Sequence, residues 1–413
     1  MTQPVYILGG YQTDFAKAWS RHGQDISDMV RETTQGTLEA CGLEAVAIES
    51  IHVGNAFAEL QRQQAHLGAM VAQVVPELHG VPAMRHEGAC ASSSLAALTA
   101  TAEIEAGRYD CVLVLGVEEF KNTVGHEASK NQNAASWQGH EGIDCTFMWP
   151  AAFGRVAQEY AERYGLDRRY LNRIAEINYA NGRLNPLAQT RSWKFGPDSF
   201  TDDDEANPLI EPGTRRQDCG QVTDGGCGVV LASARFAQEY ARRQGKRLDE
   251  VARIAGWGHR NAGLRLLDKL ESSRNQTYVF PHLRQTIEDA WRRAGISGID
   301  AVDGVETHDC FTTTEYVALD HLGLSAPGQS WQAVEDGSIA PGGRCPVNMS
   351  GGLIGCGHPV GATGARMLLD SSLQVTGKAG PMQIEGARRM QTLNIGGSFA
   401  TVASFIVEAG APA

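Results

Sequence analysis

One pattern is written twice in this chain: LEACGLEAVAIESIHVGNAF at residues 38–57 and WRRAGISGIDAVDGVETHDCF at residues 291–311. Each copy closes a helix-length segment on a glycine, Gly42 or Gly295, crosses a short turn, and runs into a strand carrying Ile51 or Val305. Glycine just past a helix end accepts the left-handed backbone that stops the helix. A β-branched run after it reads as a buried strand. The recurrence therefore marks a duplicated βαβ-rich unit, whose two halves pack about a pseudo-dyad with strand ends facing one another.

Working outward from the first copy, strands are expected over residues 5–9, 48–57, 84–88 and 110–116, and helices over 25–41, 65–75 and 92–106. Around the second copy the order repeats, with strands over 251–258, 302–309, 347–352, 390–396 and 400–408 and helices over 282–294, 313–322 and 364–375. Between Lys121 and Cys219 the composition shifts to Gly, Asn, Asp and Trp, with an acidic run at 202–205 and helices over 153–164 and 167–179. This is an insertion, after which the strand 226–232 completes the first half. The domains are accordingly 1–120 with 219–250, the inserted loop domain 121–218, and the second half 251–413.

At 413 residues, about 150 per domain gives two to three domains. Forty-two per cent apolar and 20 per cent charged residues suit a globular chain with a large core. The net charge of −12, with no basic run longer than two, excludes nucleic acid as a partner on electrostatic grounds. No basic start leads into an apolar core, and the apolar runs fall far short of the ~20 residues that span a bilayer, so no membrane association and a cytoplasmic location are expected. Nine cysteines without a Cys-x-x-Cys suit reduced thiols.

Three segments carry chemistry. In HEGACASSSLAALTA (86–100), a strand meets a tight turn and then a helix, with Ser92–Ser94 placed to cap it. Cys90 thus lies where a helix start favours thiolate and where backbone N–H groups can hold an oxyanion. In NMSGGLIGCGHPVGATGARMLL (348–369), glycines bring the chain close to a ligand around His358, a candidate general base. No Gly-Lys-Ser/Thr follows, so a phosphate-cradling loop is not indicated. ETHDCFTTTEY (306–316) puts His308 and Cys310 at a strand end, where open α/β sheets carry their sites. A zinc site from Cys90, His308, Cys310 and His358 would draw every ligand from a remote segment without zinc-type spacing, so no metal is expected.

These pieces resemble the thiolase superfamily, and more closely its sterol carrier protein X-type branch. The resemblance rests on CAS at 90–92, HDCF at 308–311, GHPVGATG at 357–364, NIGGS at 394–398 and NPLAQ at 185–189, and runs over nearly the whole chain. It implies the α/β thiolase fold: two duplicated βαβαβαββ halves in five layers, α/β/α/β/α, with an inserted loop domain. It also implies acetyl-CoA acetyltransferase-type chemistry in lipid metabolism, with acyl-CoA and CoA as substrates and no permanently bound cofactor. Cys90 would be the acylated nucleophile, His358 its base and later a donor to a thioester oxygen, and His308 a donor to the enolate oxygen. The N–H groups of Cys90 and Gly396 would form the oxyanion hole. Ordinary thiolases carry Asn-Glu-Ala-Phe at 308–311 and a late Cys-x-Gly where this chain has Asn394, Ile395 and Gly396. The acid/base thiol then falls to Cys310, with Cys356 a competitor. Arg191, Lys194, Arg215 and Arg216 of the insertion are candidates for the CoA phosphates, Arg191 and Lys194 foremost, and Trp137, Met148 and Trp149 for the walls of the acyl pocket.

The resemblance further implies a homodimer or homotetramer, and leaves open a small zinc-ribbon/OB-fold partner without which the chain is silent. A β-ketoacyl synthase, which also uses one cysteine and two histidines, is the nearest enzymatic rival. It generates its carbanion by losing carbon dioxide and needs no α-proton base, so Cys310 counts against it.

Overall fold

The computed structural model describes residues 3–142 and 144–409. Its strands are β1 (Val5–Gln12), β2 (Ser50–Gly54), β3 (Ala83–His86), β4 (Cys111–Glu118), β5 (Leu209–Glu211), β6 (Thr214–Arg215), β7 (Gly225–Ser233), β8 (Ala252–Asn261), β9 (Gly304–Thr307), β10 (Arg389–Gly396) and β11 (Thr401–Glu408). Nine of them pair in the order β3-β2-β4-β7-β1-β8-β11-β10-β9, and β5 with β6 forms a separate hairpin. In the first half β2 lies parallel to β3 and β4, while β7 runs antiparallel between β4 and β1. In the second half β9 lies parallel to β10, and β11 runs antiparallel between β10 and β8. A parallel bridge from Val305 to Val347 stands outside β9 as β3 stands outside β2. From the β1–β8 seam outward, the two halves therefore repeat one order of connections.

The repeated sequence pattern has its physical cause in the caps. Gly42 ends helix Ile26–Cys41 at φ 61°, and Gly295 ends helix Pro281–Ala294 at φ 70°, each returning its N–H to the last turn. These two helices cover the outer faces, the first on β1 and β7, the second on β8 and β11. Helices Ser92–Glu105 and Thr363–Val375 lie between the half-sheets and touch each other. The layers are thus helix, sheet, helix pair, sheet, helix, with one apolar core at the middle and one under each outer layer. A helix enclosed on every side has no use for an amphipathic stripe. Helix Thr363–Val375 accordingly buries every residue but Leu373.

Residues 347–352 were expected to form a strand, and only Val347 pairs. The chain turns at Gly351, φ 100°, into a short helix Gly352–Gly355. The buried Asp309 carboxylate takes the N–H groups of Leu353 and Ile354 at 2.5 and 3.3 Å, which replaces a ladder partner with a capping carboxylate. The segment between β4 and β7 carries helices Gly125–Gln132, Met148–Tyr164 and Arg169–Leu184. The last packs on helix Thr312–Leu322 and on the turn Gly352–Gly355, so the insertion leans on the second half. Among the described residues no helix is long and apolar enough to cross a membrane.

Candidate active site

Cys90 sits in a single 3-10 turn, Ala89–Ala91, between β3 and helix Ser92–Glu105. Ala89 takes φ 50°, a left-handed backbone that costs an alanine about 1–2 kcal/mol and persists only where its surroundings hold it. Ser92 supplies that hold: its hydroxyl accepts from Gly88 N–H at 3.1 Å and donates to Ala89 O at 2.6 Å. The serine triplet does not cap its own helix. Ser93 accepts from Ala365 N–H at 2.9 Å, and Ser94 donates to Asn394 Oδ1 at 2.8 Å. The hydroxyls of Ser93 and Ser94 are thus spent on neighbouring segments of the second half.

Those segments bring the other groups. The ligand atoms of Cys90, His308 and His358 all lie within 4.8 Å of one another, although 218 and 268 residues of chain separate Cys90 from the two histidines. The imidazoles stand edge to face at 87°, with centroids 5.4 Å apart. His308 Nδ1 meets Asn394 Nδ2 at 3.2 Å, and His358 Nδ1 meets Thr363 Oγ1 at 2.7 Å. The Nε2 atoms of both rings are buried and have no hydrogen-bond partner. Beside Cys90, they are left able to bond a polar group placed there. The backbone N–H of His358 donates to Thr223 Oγ1 at 2.9 Å, which fixes the loop that carries it.

A cavity of about 350 Å³ opens on Cys90, Cys310 and His358. Phe57, Phe147, Trp149, Phe153 and Phe311 make it mainly apolar. Burial pushes the Cys90 thiol up to about 12, against the N–H of Gly397 and its own N–H, which favour the thiolate. Desolvation thus outweighs the two N–H groups and favours the thiol over the thiolate. Burial, with the Arg366 guanidinium behind it, pushes His358 down to about 3 and His308 well below the usual imidazole range. Cys310 is raised well above its ordinary value, first by burial and then by Cys90. Burial favours the neutral form of all four side chains near pH 7, so each thiol must give up its proton before it acts as nucleophile or base.

Arg366 is fully buried and held by Glu306 at 2.5 Å and Asp370 at 2.9 Å, which ties helix Thr363–Val375 to β9. Glu118, pushed up to about 7 by burial, accepts from Ala56, Phe57 and Gly361 N–H groups at 2.9, 3.1 and 3.0 Å. It clamps the loop after β2 to the glycine-rich loop of the other half.

The structure brings Cys90, His308, Cys310 and His358 together and leaves several other candidates outside. Gly396 ends β10 opposite Thr401 and packs on Gly88, whereas Gly397, one residue on, lines the cavity and gives its N–H to Cys90. Cys356 is buried beside Gln12 and Asn185, with Phe15 and Ala188, away from the cavity lining. Arg191 spends both terminal nitrogens on Asp14, at 2.7 and 2.8 Å. Lys194 lines a second depression of about 330 Å³ that shares Arg216 and Gln221 with the main cavity. Trp149 lines the cavity, Met148 is buried outside its lining, and Trp137 is 45% exposed, stacked on His140. Cys219 lines the cavity as a third thiol, brought there by its bridge to Phe311, and nothing in its local sequence marks it.

Family models match the chain in two pieces: "Thiolase, N-terminal domain" over residues 5–195 and "Thiolase C-terminal domain-like" over residues 266–409. An acetyl-CoA acetyltransferase of Methanothermobacter thermautotrophicus is 31% identical over 405 residues, covering 97% of this chain and 98% of the relative. Sterol carrier protein 2 of Gallus gallus is 28% identical over 406 residues, 96% of this chain and 70% of the relative. Among solved structures, an Ltp2-ChsH2(DUF35) aldolase superposes with a TM-score of 0.77 at 19% identity, covering 98% of both chains.

Proposed function

The chain belongs to the thiolase family, and from that premise we propose that it is a CoA-dependent acyltransferase working through a thioester on Cys90. The observation that carries the reading is one apolar cavity lined by Cys90, Cys310 and a third thiol, Cys219, with the His358 imidazole whose Nε2 has no hydrogen-bond partner. Acyl transfer through carbon–carbon bond chemistry needs one sulfur to carry the acyl group and a separate base to work on the α-carbon.

As Cys90 Sγ attacks the thioester carbonyl, its proton passes to His358 Nε2. The N–H groups of Cys90 and Gly397 take the oxyanion, and the proton then goes to the departing CoA sulfur. On the second acyl-CoA, Cys310 as its thiolate removes the α-proton while His308 donates to the enolate oxygen, and the abstracted proton passes on to the Cys90 sulfur when it leaves. The carbanion attacks the Cys90 thioester, and collapse of the adduct frees the Cys90 sulfur and a 3-oxoacyl-CoA. Thiolytic cleavage is the same path reversed, with Cys310 protonating the leaving carbon. CoA is a substrate in both directions and no resident cofactor is required. Lys194 and Arg216, which have no carboxylate within salt-bridge distance among the described residues, suit the CoA phosphates better than the ion-paired Arg191.

Domain limits of 1–120 with 219–250, 121–218 and 251–413 follow the halves and the insertion. Strand β3 is an edge with Met84 43% exposed, which favours a homodimer formed there, with a homotetramer as its pairing. A small zinc-ribbon/OB-fold partner fits the solved neighbour's DUF35 complex. A role in lipid metabolism and a cytoplasmic site of action complete the proposal.

The test is mass spectrometry after exposure to acyl-CoAs, alongside turnover of acetoacetyl-CoA with free CoA. The reading expects an acyl adduct on the peptide carrying Cys90, with thiolysis of acetoacetyl-CoA. An adduct on another cysteine, or turnover of a malonyl thioester instead, would overturn it.

A further inference from the structure

The two histidines beside Cys90 receive different partners on their Nδ1 atoms, and that difference decides which proton each presents. An amide nitrogen can only donate, so Asn394 Nδ2, 3.2 Å from His308 Nδ1, requires that nitrogen to be an acceptor. A neutral imidazole carries one N–H, and for His308 it must then be on Nε2. In this orientation the Asn394 Oδ1 accepts from the Ser94 hydroxyl at 2.8 Å. Asn394 and Ser94 are 1% and 2% exposed, so water does not compete for either bond.

At His358 the arrangement is reversed. The Thr363 hydroxyl donates to Pro359 O at 3.3 Å, the usual back-bond of a helix threonine. Its oxygen is left to accept, and at 2.7 Å from His358 Nδ1 it calls for a proton there. His358 Nε2 then carries a lone pair. Both Nε2 atoms are buried and unpartnered beside Cys90.

We propose that Asn394, bonded to Ser94, and Thr363 are positioning residues that lock His308 and His358 into opposite tautomers, so that an N–H donor and a lone-pair acceptor stand side by side next to Cys90. The donor suits a developing enolate oxygen and the acceptor suits the Cys90 proton. With the rings interchanged in tautomer, neither task has the right atom. The proposal deepens the acyl-transfer reading and rests on it for its kinetic part; the tautomers themselves are read without turnover.

The experiment is ¹⁵N NMR of the whole protein labelled at histidine, with the two rings assigned by loss of signal in His308→Gln and His358→Gln. His308 should show a protonated Nε2 and a bare Nδ1, and His358 the reverse. In Asn394→Asp the carboxylate can only accept, so His308 should invert. Acylation of Cys90 should then hold within about tenfold, while carbon–carbon bond formation falls about 10²- to 10³-fold, as for a lost oxyanion donor. Thr363→Val should slow acylation and Thr363→Ser should restore it, which a purely structural role for the methyl group would not give. The same tautomer in both rings, an unmoved His308 in a folded Asn394→Asp protein, or rescue of Thr363→Val by nothing but stability would overturn the proposal.

Discussion

The two helices of the central layer occupy equivalent places in the two halves, yet they begin differently. Helix Ser92–Glu105 starts two residues after Cys90, on a turn tightened by Ala89. Helix Thr363–Val375 starts five residues after His358, at the end of a glycine-rich loop. Their first turns touch: a Cβ on Gly364 would come 2.2 Å from Ser94 Oγ and 2.4 Å from Ser94 N. Duplication has set two helix N-termini against each other, and divergence has equipped one with a sulfur and the other with an imidazole. Neither half contains a site, and the chemistry arises only at their junction.

That contrast can be broken from either side. Cys90→Ala should remove the acyl adduct and reduce turnover by at least ~10⁴-fold, while His358→Ala, which leaves the sulfur in place, should slow acylation by about 10²- to 10⁴-fold. Equal losses with an adduct surviving in Cys90→Ala would mean that another residue carries the acyl group. A pH profile sharpens the same division. His358, pushed down to about 3, is already unprotonated from pH 5 upward, so acylation should lack an acid limb due to this base. Alkylation of Cys90 in the free enzyme should instead keep rising above pH 9, following a thiol pushed up to about 12. A plateau from pH 5 would indicate a resting thiolate–imidazolium pair. The smallest effect expected is structural: Gly364→Ala should lower stability by about 1–3 kcal/mol in chemical denaturation, since the clash includes backbone. A neutral outcome would show that the helix starts have room to part.

Much of this was legible in the sequence, and the reason is local. Cys90, His308, Cys310 and His358 each stand at a strand end or in a glycine-rich turn, where chain geometry alone singles them out. The paired patterns ending at Gly42 and Gly295 announced the duplication because a left-handed cap leaves a glycine behind. What stayed hidden depends on contacts between remote segments. Ser92, Ser93 and Ser94 looked like caps, but their hydroxyls serve the Ala89 turn, Ala365 and Asn394. Asn394 registered only as a missing cysteine until its amide was seen against His308. That Gly397 lines the cavity and gives its N–H to Cys90, and that Cys219 arrives there, turn on one residue of register and one bridge between distant strands, neither of which a periodicity reports. The burial that raises the Cys90 thiol is likewise set by packing from remote segments, which no short stretch encodes.

The central claim is a division of labour between two sulfurs, and exchange of the α-hydrogens of acetyl-CoA in deuterated water tests it most directly. With Cys310→Ala, acylation at Cys90 should persist while deuterium uptake at the α-carbon stops; Cys356→Ala should leave both unchanged. Uptake that continues without Cys310, or that vanishes without Cys356, would contradict the account.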